Sequence, residues 1–200
     1  MDDNLAVTYL SILLALLFGA AFPLFRQIFK TRKAETSLVR LQKKLSKDNG
    51  TTQEYYELSS LYLDKKIYSQ AITMFQKALK AAEQEQEETI APIYNGLGFA
   101  YFAQEQYDLA IRQYKEALKR DPKYITALNN LAHAYERKTL MAQALQTYEQ
   151  VLEIEPKNTT ANRRSESVRK RIVTKEGVKI DPKRVEVING LPLPRNKKEV

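Results

Sequence analysis

The chain contains no cysteine and a single histidine, His133, among its 200 residues. The lack of cysteine excludes disulfide bonds, thiolate zinc sites, iron–sulfur ligation and cysteine nucleophiles. A single histidine excludes any metal site or catalytic pair that needs two imidazoles. The sequence also lacks the patterns of phosphate-binding loops, zinc proteases, serine hydrolases and calcium-binding loops. We therefore predict a protein that is not an enzyme and that has no cofactor.

Charge is distributed unevenly along the chain. Residues 26–47 hold eight basic residues against one acidic residue, and residues 157–200 hold 13 against five. Residues 48–156 carry a net charge of −5. A domain that binds nucleic acid through its folded surface would be basic throughout. The acidic middle of the chain disfavours that class of function.

The N-terminal segment is apolar enough to be a membrane anchor. Leu5 to Phe25 is a run of 21 residues without a charge. At about 1.5 Å per residue it spans about 30 Å as a helix, the thickness of a bilayer's hydrocarbon core. A signal peptide normally begins with basic residues, whereas this chain begins with Asp2 and Asp3. We predict an uncleaved transmembrane helix over residues 5–25, after a short extramembrane N-terminus at 1–4.

Basic residues follow this run and predict its orientation. Four of them are expected to lie at the membrane surface: Arg26, Lys30, Arg32 and Lys33. The positive-inside rule places the rest of the chain on the cytoplasmic side, or its organellar equivalent. Residues 26–50 are predicted to form a basic juxtamembrane helix that ends at a turn. Three leucines on one face of it either contact anionic lipid or pack against the next domain: Leu38, Leu41 and Leu45.

The middle of the chain repeats with a period of 34 residues. Large residues recur at this spacing, as in Tyr101 and Tyr135, and an earlier copy is offset by a five-residue insertion at 86–90. Small residues occupy equivalent positions in all three copies: Ser59, Gly98 and Ala132, then Ala71, Ala110 and Ala144. Thr51 and Glu54 form a capping box before the first copy.

This pattern resembles the tetratricopeptide repeat over residues 52–158, in units 52–85, 91–124 and 125–158. The resemblance implies an α-solenoid of three tetratricopeptide helical hairpins, so together with the predicted N-terminal transmembrane helix we expect an all-α fold. Pro122 and Pro156 are expected to end the second helix of the last two units. The first unit has Glu83 there, so its second helix can run longer. Val151 replaces a family alanine, which suggests looser packing beside the last unit.

Residues 159–173 are predicted to form a capping helix, because no repeat can bury its apolar stripe alone. Its inner face would be Ala161, Ser165, Val168 and Ile172. Its basic residues are expected to face water: Arg163, Arg164, Arg169, Lys170 and Arg171. Residues 174–200 are predicted to be an extended basic tail.

In the tetratricopeptide family, the first helix of each unit lines a concave surface that binds proteins. The family's contact positions include eight candidate binding residues here: Tyr56, Ser60, Asn95, Phe99, Phe102, Asn129, His133 and Glu136. Phe99 and Phe102 either anchor a partner or are covered by neighbouring helices, while the asparagines could hydrogen-bond a peptide backbone. The family's two-carboxylate clamp is missing, because its positions hold Tyr56, Ser60, Gly96, Thr126 and Asn130.

The whole architecture is similar to a family of thylakoid tetratricopeptide proteins that assist photosystem I assembly in cyanobacteria and plastids. The resemblance implies a scaffold in the thylakoid membrane, with repeats facing the cytoplasm or stroma. Its expected partners are photosystem I subunits or assembly intermediates and the lipid bilayer, without a small-molecule substrate. Two alternatives stay open. One is another tethered adaptor, such as an import receptor or an envelope-complex scaffold, and the other is a tethered basic binder of nucleic acid or acidic lipid.

Overall fold

The computed structural model describes residues 3–87 and 89–175, which form eight α-helices and no β-strand. In chain order they are α1 Asp3–Leu45, α2 Thr52–Asp64, α3 Tyr68–Glu85, α4 Ala91–Ala103, α5 Tyr107–Arg120, α6 Ile125–Arg137, α7 Met141–Ile154 and α8 Thr159–Lys175. The chain forms two compact units, Met1–Glu88 and Thr89–Val200. The predicted all-α architecture of helical hairpins is confirmed. Most of the predicted tail, from residue 176 onwards, lies outside the described residues.

The first unit begins with α1, a single helix of 43 residues. Its N-terminal half is long and apolar enough to cross a membrane, and no other helix in the described ranges passes this test of length and composition. Large apolar side chains along it are exposed, among them Leu10, Leu14, Phe18 and Phe22. The predicted juxtamembrane helix is therefore the C-terminal half of α1 and not a separate element.

The C-terminal part of α1 packs against α2. Leu41 is only 3% exposed, and Leu38 and Leu45 are half-buried. Gln42 Nε2 donates a hydrogen bond to the Tyr62 hydroxyl at 3.0 Å. Three ion pairs join α1 to α2 and the residue that follows it: Arg40–Glu57, Lys44–Glu54 and Lys65–Glu35. The leucines of α1 were predicted either to contact lipid or to pack against the next domain. In the structure they pack against the next domain.

The first hairpin consists of α2 and α3. The predicted capping box is present, since Thr51 Oγ1 accepts the Glu54 N–H at 3.3 Å and the Glu54 carboxylate accepts the Thr51 N–H at 3.2 Å. As predicted from the missing proline, α3 is longer than α5 and α7, with 18 residues against 14. The extra turn brings the Glu85 carboxylate within 3.2 Å of the Thr52 N–H. There it interacts favourably with the positive end of the α2 dipole.

The second unit contains the hairpins α4–α5 and α6–α7, and α8 packs on α7. Tyr114 and Tyr148 are each 1% exposed and fill the interior of these hairpins. Val151 is also fully buried, in one cluster with Ala161 and Val168 of α8. The looser packing predicted for Val151 is therefore wrong, because the capping helix takes up the larger side chain within the core.

Each hairpin turn holds one residue in the left-handed region of φ. These residues are Lys66 (φ 60°), Glu105 (φ 60°) and Thr139 (φ 58°). Glycine adopts this conformation without strain, whereas a β-branched threonine is unfavourable there. In each turn the next residue donates its N–H to a carbonyl five residues earlier, as from Leu140 to Tyr135 at 2.9 Å. These bonds hold the same turn in all three hairpins despite the absence of glycine.

Gly98 is the small residue that lets α4 approach α5. A Cβ atom at this position would lie 2.6 Å from Tyr114 Cε1 and 2.7 Å from Tyr114 Cδ1. The ring is almost completely buried and has no free space into which it can move. The equivalent positions tolerate Ser59 and Ala132 in the other two hairpins.

We expect Gly98→Ala to lower the free energy of unfolding by about 1–3 kcal/mol, because the added methyl overpacks the core. Denaturant unfolding followed by circular dichroism measures this change. In a Tyr114→Leu background the clash is absent, and alanine should then gain about 1 kcal/mol of helix propensity over glycine. An equal loss of stability in both backgrounds would show that the ring is not the cause.

Candidate functional site

Two of the predicted binding residues, Tyr56 and Ser60, lie on α2 in the first unit. The Tyr56 ring packs edge-on against Phe75, with ring centroids 6.0 Å apart. Ser60 Oγ donates a hydrogen bond to the Tyr56 carbonyl at 3.0 Å. Both side chains are half-buried. They are engaged within their own hairpin, and only their outer atoms are accessible.

Five other predicted residues form what we call the α4/α6 face of the second unit: Asn95, Phe99 and Phe102 of α4 with Asn129 and His133 of α6. Their spacing of three or four residues puts them on one side of each helix. Two contacts join the helices at this face. Asn130 Nδ2 donates a hydrogen bond to Asn95 Oδ1 at 3.0 Å, and the Phe102 and His133 ring centroids are 4.8 Å apart.

The two phenylalanines of this face differ in burial. Phe99 is 44% exposed. Phe102 is half-buried and packs against the hydrophobic core, with its ring centroid 5.3 Å from that of Tyr107. Phe102 is thus partly covered by its neighbours, and Phe99 is the more accessible of the two rings.

The asparagines of the face also differ. Asn95 Oδ1 is already used by Asn130. Asn129 Oδ1 is buried, and nothing in the described part of the chain donates a hydrogen bond to it. A buried acceptor without a partner costs about 1–3 kcal/mol.

His133 is held in its neutral form by its surroundings. Burial lowers the pKa of its imidazole, and the positive charges of Arg164 and Arg137 lower it further against the opposing effect of Glu136. A neutral imidazole offers one hydrogen-bond donor and one acceptor. His133 therefore contributes polarity to the α4/α6 face without charge at neutral pH.

Glu136 does not lie on an accessible surface, contrary to our prediction. It is 8% exposed, and its Oε1 accepts a hydrogen bond from the Tyr148 hydroxyl at 2.7 Å. Its Oε2 lies 3.7 Å from a guanidinium nitrogen of Arg164 and 3.8 Å from one of Arg171. The capping helix α8 supplies both arginines and covers the carboxylate. We refer to these four residues as the Glu136 cluster.

The arginines of α8 were expected to face water, and three of them remain partly exposed while they also pair with acidic residues. Arg164 and Arg171 pair with Glu136, and Arg169 donates to Glu149 Oε1 at 2.8 Å. The inner face of α8 is as predicted, because Ala161, Ser165 and Val168 are buried and Ile172 packs against the core. The arginine spacing of seven residues is a signal that could have found the Glu136 cluster, since it puts both side chains on one side of α8.

The contacts of the α4/α6 face are aromatic and amide contacts, which suit binding. Within residues 3–87 and 89–175, no group of three or more histidine, aspartate or glutamate side chains is placed to hold a metal ion.

Two protein-family models match the repeat region of the chain. A model described as "TPR repeat" matches residues 98–138, and a model described as "Tetratricopeptide repeat" matches residues 55–85 and 125–158.

The protein ycf37 of Cyanophora paradoxa is 38% identical to this chain over 143 residues, which cover 71% of this chain and 83% of that protein. The chain is a tetratricopeptide-repeat protein of the ycf37 family. A further relative of this ycf37-family protein is PYG7, the chloroplastic tetratricopeptide repeat domain-containing protein of Arabidopsis thaliana. It is 32% identical over 175 residues, which cover 88% of this chain and 58% of PYG7.

Among solved structures, MamA has the same fold as the ycf37-family chain. The TM-score is 0.65 at 20% sequence identity, over 74% of this chain and 82% of MamA. At this identity the likeness concerns the fold alone. Tetratricopeptide repeats are protein-interaction modules, and nothing in the family or in the fold indicates enzymatic activity.

We expect Tyr148→Phe to destabilise this ycf37-family protein by about 1–3 kcal/mol, because the buried Glu136 carboxylate loses its hydrogen-bond donor. Urea unfolding at pH 7 measures the change. Tyr114→Phe is the matched control, since Tyr114 is equally buried and the hydroxyl that donates to Glu136 is that of Tyr148. The control should change stability by less than about 0.5 kcal/mol. Equal effects of the two substitutions would show that the bond to Glu136 is not stabilising.

Proposed function

We propose that this protein is a non-catalytic, membrane-anchored scaffold whose α4/α6 face binds protein partners. One observation carries the proposal: the exposed Phe99 ring lies on the same face as the half-buried polar side chains of Asn95 and His133. An apolar anchor on a face with hydrogen-bonding side chains is suited to a peptide that supplies an apolar side chain and backbone polar groups. Tyr56 and Ser60 are proposed as binding residues of the first unit by itself.

The partners that we propose are photosystem I subunits or their assembly intermediates at the thylakoid membrane. Two findings support this. The arrangement of one span, a basic segment and three units resembles thylakoid proteins that assist photosystem I assembly, and the relative PYG7 is named as chloroplastic. The positive-inside rule supports repeats that face the cytoplasm or stroma.

The anchor in this proposal is the N-terminal half of α1. Its exposed apolar side chains are suited to lipid, and Arg26, Arg32 and Lys33 are exposed in the turns that follow. Lys30 lies among them in the sequence. A scaffold and its partner held in the same membrane meet at a high effective concentration, so a weak contact at the α4/α6 face is sufficient.

We expect the full chain to stay in the membrane pellet after washing with alkaline carbonate. Leu13→Arg places a charge near the middle of the span, which costs about 2.5–3.5 kcal/mol, and should increase the released fraction. Val39→Arg is the matched control, because Val39 is as exposed as the residues of the span but lies outside it. Immunoblots of pellet and supernatant measure the distribution. Release of the unmodified chain would contradict the anchor.

The proposed partners are tested by affinity capture from solubilised thylakoid membranes. Photosystem I subunits should be enriched by the full chain and by Ile154→Ala, whose side chain is similarly exposed on α7. Phe99→Ala should reduce the enrichment by about tenfold, because the anchor side chain is lost. Quantitative mass spectrometry measures the subunits.

Two results of this capture would overturn the proposed partners. Enrichment of preproteins or envelope proteins without photosystem I subunits would identify a different adaptor. Binding that falls steeply with salt and is unaffected by Phe99→Ala would instead indicate a basic surface that attracts polyanions.

A further inference from the structure

The capping helix is strongly basic and firmly held. Between Thr159 and Thr174 it has five arginine and lysine residues and one acidic residue, Glu166. Ala161 and Val168 are fully buried in the core of the second unit. Burial of these two residues fixes which side of α8 faces α6 and α7. The directions of its arginines are therefore set by the fold.

In the Glu136 cluster, one carboxylate forms ion pairs with two guanidinium groups. The distances from Glu136 Oε2 to Arg164 and Arg171 are 3.7 and 3.8 Å, which are ion-pair distances too long for direct hydrogen bonds. The arginine side chains remain 39% and 55% exposed, whereas that of Glu136 is 6% exposed. The cluster thus has one positive charge in excess, with guanidinium N–H groups open to solvent.

The Glu136 cluster adjoins the α4/α6 face. Glu136 and His133 are one turn apart on α6, and the charge of Arg164 acts on the His133 imidazole. His133 in turn contacts the Phe102 ring. A chain bound over Phe99 could therefore extend past His133 to the exposed sides of Arg164 and Arg171.

We propose that Arg164 and Arg171 bind a carboxylate of an acidic peptide segment whose neighbouring apolar residue lies on the α4/α6 face. This inference rests on the proposed function and adds the chemistry of the partner. A single excess positive charge complements a monoanionic carboxylate, and guanidinium groups bind carboxylates through paired hydrogen bonds. A phosphate polymer would bring more negative charge than the single excess positive charge of the cluster can neutralise.

The cations of this site come from the capping helix. They are separate from the family's two-carboxylate clamp in the repeat units, whose positions here have no basic residue. Glu136 in this proposal neutralises one of the two guanidinium charges of Arg164 and Arg171. A bound carboxylate would use the guanidinium N–H groups that Glu136 leaves free.

The test is peptide selection on the full chain in phosphatidylcholine nanodiscs. A display library of random dodecapeptides is the probe, and the enrichment of aspartate and glutamate among the selected peptides is the readout. We expect acidic residues to be enriched next to leucine or phenylalanine. Arg164→Gln with Arg171→Gln should abolish this enrichment. Arg112→Gln with Arg120→Gln is the control, because it removes the same charge from exposed positions of α5.

Affinity measurements on the best selected peptide complete the test. Each single arginine substitution should weaken binding by about three- to tenfold, as expected for half-exposed charged contacts. Glu136→Gln should tighten binding by about threefold or more, since it keeps an acceptor for Tyr148 and removes the competing charge. Circular dichroism verifies that α8 stays folded in each variant.

Three results would overturn the inference. They are selected peptides without acidic enrichment, equal losses in the α8 and α5 double variants, and displacement of the peptide by a single-stranded oligonucleotide at equal charge concentration. These results leave the proposed function intact if the capture of photosystem I subunits still depends on Phe99. Loss of both would remove the proposed function as well.

Discussion

The structure depends on the close approach of the two helices within each hairpin. Each hairpin places one large ring between its helices, from Phe75, Tyr114 or Tyr148, all at most 1% exposed. Such a ring fits only where the facing helix has a small residue, and at Gly98 even a methyl group would collide with it. In each hairpin the ring packs against the inner side of the first helix. The neighbouring residues of that helix therefore form an outer face. The α4/α6 face is thus a consequence of how the core is packed.

The end of the second unit shows how a repeat array is closed with polar as well as apolar groups. Val168 and Ala161 cover the last hairpin, and the arginines of α8 meet a carboxylate that would otherwise be buried without a positive partner. A buried charge is tolerated only when it is paired and hydrogen-bonded. The Tyr148 hydroxyl supplies the hydrogen bond and the arginines supply the charge. Closure of the array therefore leaves an exposed cationic edge.

In the first unit, the apolar leader and the first hairpin are parts of one structure. The helix that begins in the apolar segment continues without a break to Leu45 and is fixed to α2 by Leu41 and by charged pairs. The longer α3 adds to this unit, because Glu85 reaches the N-terminus of α2.

Local sequence patterns determined the helices, the turns, the capping box and the apolar leader. The 3.6-residue period, the capping residues and the prolines each affect the backbone only within a few residues along the chain. The sequence by itself also placed Asn95, Phe99 and Asn129 on one side of their helices. Only the tertiary structure decided how far each of these residues stays accessible: Glu136 is buried, Phe102 is half-buried and Phe99 is exposed, and the leucines of α1 face α2. Burial depends on residues that are distant in the chain, such as those of α8, and a repeating pattern carries no information about what lies across from it.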